Sequence, residues 1–297
     1  NGWTGTDWLD ASYHKGAMTQ NHSISMVGGN DVSKFNLGFA YTKQDGILGG
    51  ETQSKFERYN VRLNSSHVIL RSKNKDFDVI TLGENLNINR RIRTGISQSS
   101  MYWNNVHDLL TASPLLPVYG KDGDYYTNPE MSAEGWTLGG AAVNPIALAA
   151  TTSQGLNESN NWNVNATGFL EIQPIKGLVF KSQFGYRFGF SSYRAMTRVH
   201  AIGTNVADQD NASQSMNLWS RISWENTLTY TLGLDKHNIN IVAGQSMEKN
   251  TYGENLNASG NNLLFGDSWD HAYVSNAQIK KIGRAVQQEC RDRYRMP

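Results

Sequence analysis

Cysteine and proline are scarce in this chain, which has one cysteine and six prolines among its 297 residues. No run approaches the ~18 apolar residues of a membrane-spanning helix. The sequence also lacks a G-x-S-x-G elbow, a glycine-rich phosphate loop and paired cysteines, and its seven histidines do not have metal-ligand spacing. We therefore predict no catalytic residues, no metal or other cofactor, and no nucleic-acid partner.

Large apolar residues alternate with small or polar ones along much of the chain. Apolar residues at every second position are typical of β-strands whose two faces lie in different environments. Eight stretches show this pattern: Asn21–Gly28, Phe35–Thr42, Arg58–Asn64, Val79–Arg90, Trp162–Gln173, Phe180–Phe190, Arg221–Tyr230 and Asn238–Met247. The sequence therefore predicts an all-β, antiparallel protein of about eight strands.

The two faces of these strands differ in chemistry. One face is aromatic and aliphatic, whereas the other carries Arg, Lys, Gln and Asn, as expected for a transmembrane β-barrel with lipid outside and a polar lumen inside. We expect Tyr41, Val61, Phe184, Phe188 and Ile241 to face lipid, and Arg62, Gln183, Arg187 and Asn240 to face inward. The charged residues expected to face the lumen or a plug are Arg58, Arg62, Lys181, Arg187, Arg221 and Glu225. Glu84 conflicts with this pattern, since alternation places it on the lipid face. Either a bulge near Gly83 or a position at the edge of the bilayer would account for it.

The connections between the strands alternate in length. Four are short: Gly28–Asp31, Ser65–Lys75, Pro174–Gly177 and Leu232–Lys236. Three are longer: about Asp45–Lys55, Ile92–Asn160 and Ser191–Gln214. Short periplasmic turns alternating with long extracellular loops are typical of outer-membrane barrels. A plugless porin-like barrel, or a secreted β-sandwich that acts as an adhesin or carbohydrate-binding module, is the alternative.

The longest loop is the predicted location of substrate contacts. It is expected to hold two short helices, near Met101–Leu110 and Ile146–Ala150, and a hairpin turn at Tyr119–Gly123. Its aromatic residues Tyr102, Trp103, Tyr125 and Tyr126 are candidates to stack on a substrate. Packing within the loop is the competing role for each of them.

The C-terminal residues 282–297 depart in style from the rest of the chain. They carry four arginines, two acidic residues and the only cysteine, so that without them the net charge changes from +1 to −1. Their back-translation matches a common sequencing adapter read in frame. We therefore expect residues 1–281 to be one partial barrel domain, and residues 282–297 to be a non-native tail without a packed place in the fold.

Several motifs resemble the SusC/RagA family of TonB-linked outer-membrane proteins. In the N-terminal part these are Thr6-Asp7-Trp8 with Asp10, Gly16, Thr19-Gln20-Asn21, Ser25, Gly28-Gly29, Tyr41, Gln44-Asp45-Gly46-Ile47, Arg58-Tyr59 and Arg62-Leu63-Asn64. Further along they are Leu115-Leu116-Pro117-Val118-Tyr119, Asn144-Pro145, Asn226-Thr227-Leu228 and Ala243-Gly244-Gln245. The resemblance covers residues 1–281.

The resemblance implies a function and partners. It implies import of an oligosaccharide or peptide across the outer membrane of a Gram-negative bacterium, with a SusD-like lipoprotein as lid and TonB as the energy source. It also implies that the strands belong to a barrel of roughly 22 strands. The plug, the TonB-contacting segment and the later strands are expected to lie outside this stretch, so that these strands form an open arc.

Overall fold

The structure of the chain is a computed structural model. The described residues are 5–49, 54–74, 76–96, 104–139, 142–152, 155–234, 237–251, 253–266 and 268–286. In these ranges, no helix is both long and apolar enough to cross a bilayer.

Ten antiparallel strands form one large sheet, and two more form a small hairpin. The strands in chain order are β1 (Thr19–Gly29), β2 (Ser33–Asp45), β3 (Lys55–Arg71), β4 (Asp78–Thr94), β5 (Asn157–Ile175), β6 (Leu178–Thr197), β7 (His200–Ile202), β8 (Asn205–Ala207), β9 (Asn211–Leu234), β10 (His237–Thr251), β11 (Glu254–Leu263) and β12 (Ala277–Val286). Their order in the sheet is β1-β2-β3-β4-β5-β6-β9-β11-β12, and β7 pairs with β8. Within the described residues β1 pairs only with β2 and β12 only with β11, so the sheet is open, as predicted.

Strands β10 and β11 both pair with the same edge of β9. Thr251 lies opposite Ser220, and Asn255 lies opposite Asn217, so β10 and β11 together contain one more residue between these points than β9 does. One extra residue on one strand is the definition of a β-bulge. The pair β10–β11 therefore occupies a single strand position, and β12 occupies the next.

The alternation of short and long connections is present in the structure. Two residues separate β5 from β6, and Gly177 in this turn has φ +87°, where an added Cβ would lie 2.5 Å from the carbonyl oxygen of Thr231. Only glycine adopts this backbone without strain. The connections at the opposite end of the strands are long, and the one between β4 and β5 holds the helices α2 (Asn105–Thr111), α3 (Asn128–Ala133) and α4 (Pro145–Thr152). The helix α1 (Trp8–Ser12) precedes β1. The two predicted helices correspond to α2 and α4, while α1 and α3 were not predicted.

The buried core lies in the long connections and at the strand ends beside them, rather than in the middle of the sheet. One cluster joins α1 to the β4–β5 loop and contains Trp8, Leu109, Leu116, Tyr126, Met131 and Ala142. In contrast, the middle of the sheet exposes large apolar side chains, such as Phe184 at 52% and Ile241 at 59%. A sandwich would bury one face of its sheet against a second sheet. The β-sandwich alternative is therefore wrong for the described part of the chain.

The strand pattern differs from expectation at the C-terminal end. All eight predicted strands are present, but β11 and β12 continue the sheet beyond them. Residues 282–297 were expected to have no packed place in the fold, and of these Ile282–Val286 extend β12 and pair with β11. The side chain of Ile282 is nevertheless 72% exposed. Residues 287–297 lie outside the described residues.

Candidate functional site

The six charged residues predicted to face the lumen all lie on one face of the sheet. Directly opposed residues of antiparallel strands point to the same side. The register places Arg187 opposite Arg221 and Gln183 opposite Glu225. Arg62 lies opposite Asn87, Asn87 opposite Asn165 and Asn165 opposite Arg187, so Arg62 lies on the same face. Alternation then adds Arg58 and Lys181 to this face, which we call the polar face.

Lys181, the cation on β6 nearest the β5–β6 turn, forms an ion pair within the polar face. Lys181 Nζ lies 2.9 Å from a carboxylate oxygen of Glu171, its direct neighbour on β5. The same ammonium group lies 4.2 Å from the ring centroid of Phe169, an arrangement that favours a cation–π contact. Both groups hold Lys181 against β5, so it is a poor candidate for a free substrate ligand.

The middle of the polar face carries arginines that are held by amides. Arg187 Nε donates to Asn165 Oδ1 over 2.7 Å, and Arg221 Nε donates to Asn250 Oδ1 over 2.6 Å. Arg221 also forms an ion pair of 3.4 Å with Glu248. These bonds fix each guanidinium group on the wall, where its remaining N–H groups can meet whatever occupies the lumen.

Three arginines gather where the polar face meets the long loops. Arg58 lies directly opposite Arg91, and Arg93 follows on the same face of β4. Arg91 and Arg93 line a groove of about 450 Å³ together with Asp45, Ser159 and others. Among the described residues, no carboxylate lies within 4.0 Å of these guanidinium groups. Because like charges directly opposed across strands are destabilising, this end of the polar face favours an anion.

Arg91 and Arg93 were missed in the sequence analysis. The fourth strand was predicted to end at Arg90, whereas β4 continues to Thr94. The alternation of Arg91 and Arg93 with Ile92 was visible in the sequence, so a longer reading of the same period would have placed both arginines on the polar face.

The β4–β5 loop presents a pair of stacked tyrosine rings. The ring centroids of Tyr119 and Tyr125 are 5.4 Å apart with an interplanar angle of 18°. They flank the predicted hairpin turn, which is confirmed by the hydrogen bond from Gly120 N–H to the Asp124 carbonyl. Tyr119 is 56% exposed, while burial raises the pKa of Tyr125. Tyr125 is therefore half of an aromatic surface, and Tyr119 is the partner that the sequence analysis did not select.

Tyr126 does not serve as a stacking surface. Its side chain is only 3% exposed, and its hydroxyl donates to Glu134 over 2.7 Å. Burial and this carboxylate raise the pKa of Tyr126 to about 12. Its selection as a substrate contact is thus corrected by the structure, because the ring packs inside the loop. Tyr102 and Trp103, the other two candidates, lie outside the described residues.

Comparison with known proteins relates this sheet to one kind of barrel. A TonB-dependent receptor P3 from Formosa agariphila is 27% identical over 252 residues, which cover 82% of this chain and 23% of that protein. The solved RagAB peptide transporter superposes with a TM-score of 0.68 at 21% identity, over 95% of this chain and 30% of the matched chain. The RagAB peptide importer in its closed-closed state gives a TM-score of 0.67 at 20% identity, with the same coverage. The chain therefore has the fold of part of the RagAB transporter's barrel.

These matches cover only part of each related protein. No family model matches the chain. The chain spans less than a third of the length of each of these relatives. It corresponds to part of a barrel wall and its loops, and this agrees with the open sheet and with the two chemically distinct faces.

Proposed function

We propose that the protein carrying this chain is a TonB-dependent importer of the Gram-negative outer membrane. It takes up an oligosaccharide or peptide together with a SusD-like surface lipoprotein, and no covalent chemistry is involved. The observation that carries the proposal is the sheet itself: a polar, arginine-rich face opposes an apolar, exposed face in a wall that superposes on the RagAB peptide transporter.

The polar face is assigned two roles in this proposal. Arg62, Arg187, Lys181, Arg221 and Glu225 contact the plug, since they lie on the wall that a plug would fill. Arg58 belongs with the arginines near the long loops, where the wall meets incoming substrate. The stacked rings of Tyr119 and Tyr125 offer a flat apolar surface for a sugar ring or a peptide side chain.

Deletion of the gene tests the proposal. The deletion strain should lose growth on at least one oligosaccharide or peptide source and keep growth on simple nutrients, and loss of TonB function should produce the same defect. Growth of the TonB-deficient strain on that source would contradict the importer. It would instead support a porin-like barrel, through which solutes diffuse without energy.

The tyrosine pair can be tested in the complemented strain. Tyr119→Ala with Tyr125→Ala should slow uptake of the identified substrate by about tenfold, because a stacking contact with an aromatic ring contributes on the order of 1 kcal/mol. The matched control is Tyr119→Phe with Tyr125→Phe, which keeps both rings. Equal uptake by the two double variants would show that the rings do not contact substrate.

A further inference from the structure

Glu84 lies on the apolar face of the sheet, as the alternation predicts. It is opposite Ser65 on β3 and Gly168 on β5, and Gly168 is opposite Phe184 on β6. The pairing of β3 with β4 is regular through this region, and its register shifts only between Val68 and Arg71. The suggested bulge near Gly83 is therefore wrong, and a carboxylate is located on the lipid-facing surface.

A chain of hydrogen-bonding groups connects Glu84 to the edge of the apolar face. Ser65 Oγ donates to Glu84 Oε1 over 2.5 Å and lies 2.9 Å from His67 Nε2. His67 Nδ1 in turn lies 3.0 Å from Ser33 Oγ. With its proton given to Glu84, the Ser65 oxygen accepts from Nε2–H of His67, so the four side chains Ser33, His67, Ser65 and Glu84 form one network, here called the outer polar chain.

The outer polar chain lies near the level of lipid headgroups. Ser33 is the first residue of β2 and follows directly on the short β1–β2 turn. Glu84 lies at the level of Phe35, two residues further from the turn than Ser33, which corresponds to about 7 Å along the strands. Short turns face the periplasm in outer-membrane barrels. The carboxylate is thus close to the border between acyl chains and headgroups in the periplasmic leaflet.

One oxygen of the carboxylate remains open toward lipid. Within the described residues, Oε1 of Glu84 accepts from Ser65 and no protein donor is bound to Oε2. Beside it, Gly168 leaves open space between Glu84 and Phe184, here called the notch, since an added Cβ there would meet no atom within 4 Å. The next side chain, Phe184, is 52% exposed. An ionised oxygen against acyl chains is costly unless a donor or counter-ion reaches it.

We propose that this notch binds the primary ammonium group of a phospholipid headgroup. The ammonium offers N–H donors and a positive charge to Glu84 Oε2, and the bare backbone at Gly168 provides the space for it. The ring of Phe184 lies on the far side of the notch and can contact the cation or its methylene groups. A quaternary ammonium group lacks the N–H donor, so the site distinguishes phosphatidylethanolamine from phosphatidylcholine.

Native mass spectrometry of the whole outer-membrane protein tests this site. The detergent-purified protein is incubated with phosphatidylethanolamine, phosphatidylcholine or phosphatidylglycerol of identical acyl chains, and the bound lipid is counted. We expect preferential retention of phosphatidylethanolamine and about tenfold less in Glu84→Gln, because a charge-assisted hydrogen bond is lost. The matched control is Glu57→Gln. Glu57 lies on β3, on the same face of the sheet as Glu84 but near the end of the strand far from the short turns.

A second variant separates loss of binding from loss of folding. Gly168→Phe fills the notch but leaves Glu84 in place, so it should reduce retention of phosphatidylethanolamine in a barrel that still shows heat-modifiable migration. Equal retention by wild type and Glu84→Gln would overturn the proposal, since glutamine keeps the shape of the side chain without its negative charge. Equal retention of all three lipids by the wild type would also overturn it. Neither result depends on the proposed import function.

Discussion

The side-chain amide of Asn144 donates to the main-chain carbonyl of Tyr126 over 3.1 Å. The same amide donates to the carbonyl of Val118 over 2.8 Å, and its oxygen accepts from the N–H of Ala147 over 3.1 Å. Asn144 is fully buried. One side chain therefore joins both arms of the tyrosine hairpin to the first turn of α4, and it determines where the Tyr119–Tyr125 surface is held.

Asn144→Ala should loosen the whole β4–β5 loop. The substitution leaves the Tyr126 carbonyl and the Ala147 N–H buried without this partner, and each such group costs about 1–3 kcal/mol. The Val118 carbonyl keeps its hydrogen bond from the Tyr126 N–H. Hydrogen–deuterium exchange across residues 118–148 should become faster by at least tenfold, while exchange in β5 and β6 is unchanged. Asn205→Ala, at an exposed position of β8, is the control and should leave exchange as in wild type. Unchanged protection in Asn144→Ala would contradict this role.

Tyr126 should make the loop sensitive to alkaline pH. Its folded-state pKa of about 12 exceeds the usual value near 10, so the folded loop holds this proton more tightly than the unfolded chain does. The associated stability is complete below pH 10 and is lost as the pH rises toward 12. In wild type the loop should open over this range, as measured by exchange or limited proteolysis.

Tyr126→Phe provides the comparison for the alkaline transition. This variant loses the hydrogen bond to Glu134, so the loop should be slightly less stable at neutral pH. It should also lack the late-titrating tyrosinate absorbance near pH 12, and its loop stability should be less dependent on pH between 10 and 12. A tyrosinate signal near pH 12 that is equal in both proteins would assign that titration to another residue.

The sheet could be predicted from the sequence because its two faces are chemically different. Along β2, Phe35, Leu37, Phe39 and Tyr41 all fall on the apolar face, and the register confirms this. Period-two alternation depends only on local sequence, so no knowledge of tertiary contacts was needed. The predicted fourth strand was too short, because Arg91 and Arg93 continue the same alternation past its predicted end at Arg90.

The roles of the loop residues could not be predicted in the same way. Tyr125 and Tyr126 are neighbours of the same type, yet one ring is half-buried against Tyr119 and the other lies inside a core with Trp8 and Met131. That difference depends on contacts between segments more than 100 residues apart, such as the bond from Trp8 Nε1 to the Ser113 carbonyl. No short-range pattern in the loop contains this information.

Tryptophan scanning with lipid quenchers should distinguish the two faces of the sheet. The register places Tyr41, Val61, Phe184, Phe188 and Ile241 on one face and Arg62, Gln183, Arg187 and Asn240 on the other. In the whole protein reconstituted in brominated phospholipid, Val61→Trp and Phe188→Trp should show added fluorescence that bromine quenches. Arg62→Trp and Arg187→Trp, one residue away on each strand, should add fluorescence that is not quenched. Quenching of both sets would contradict a lipid-facing and a lumen-facing side.

The segment of residues 1–281 should not insert into a membrane by itself. Within the described residues, the outer edge of β1 and the last strand expose unpaired backbone donors and acceptors, because β1 pairs only with β2 and the sheet does not close. In lipid such groups cannot be hydrated, and each costs several kcal/mol. Expressed alone, the segment should aggregate, and detergent refolding should yield neither heat-modifiable migration in gels nor resistance to protease. A heat-modifiable, protease-resistant product from residues 1–281 would mean that the strands can close into a small barrel, and the assignment to a large importer barrel would then fail.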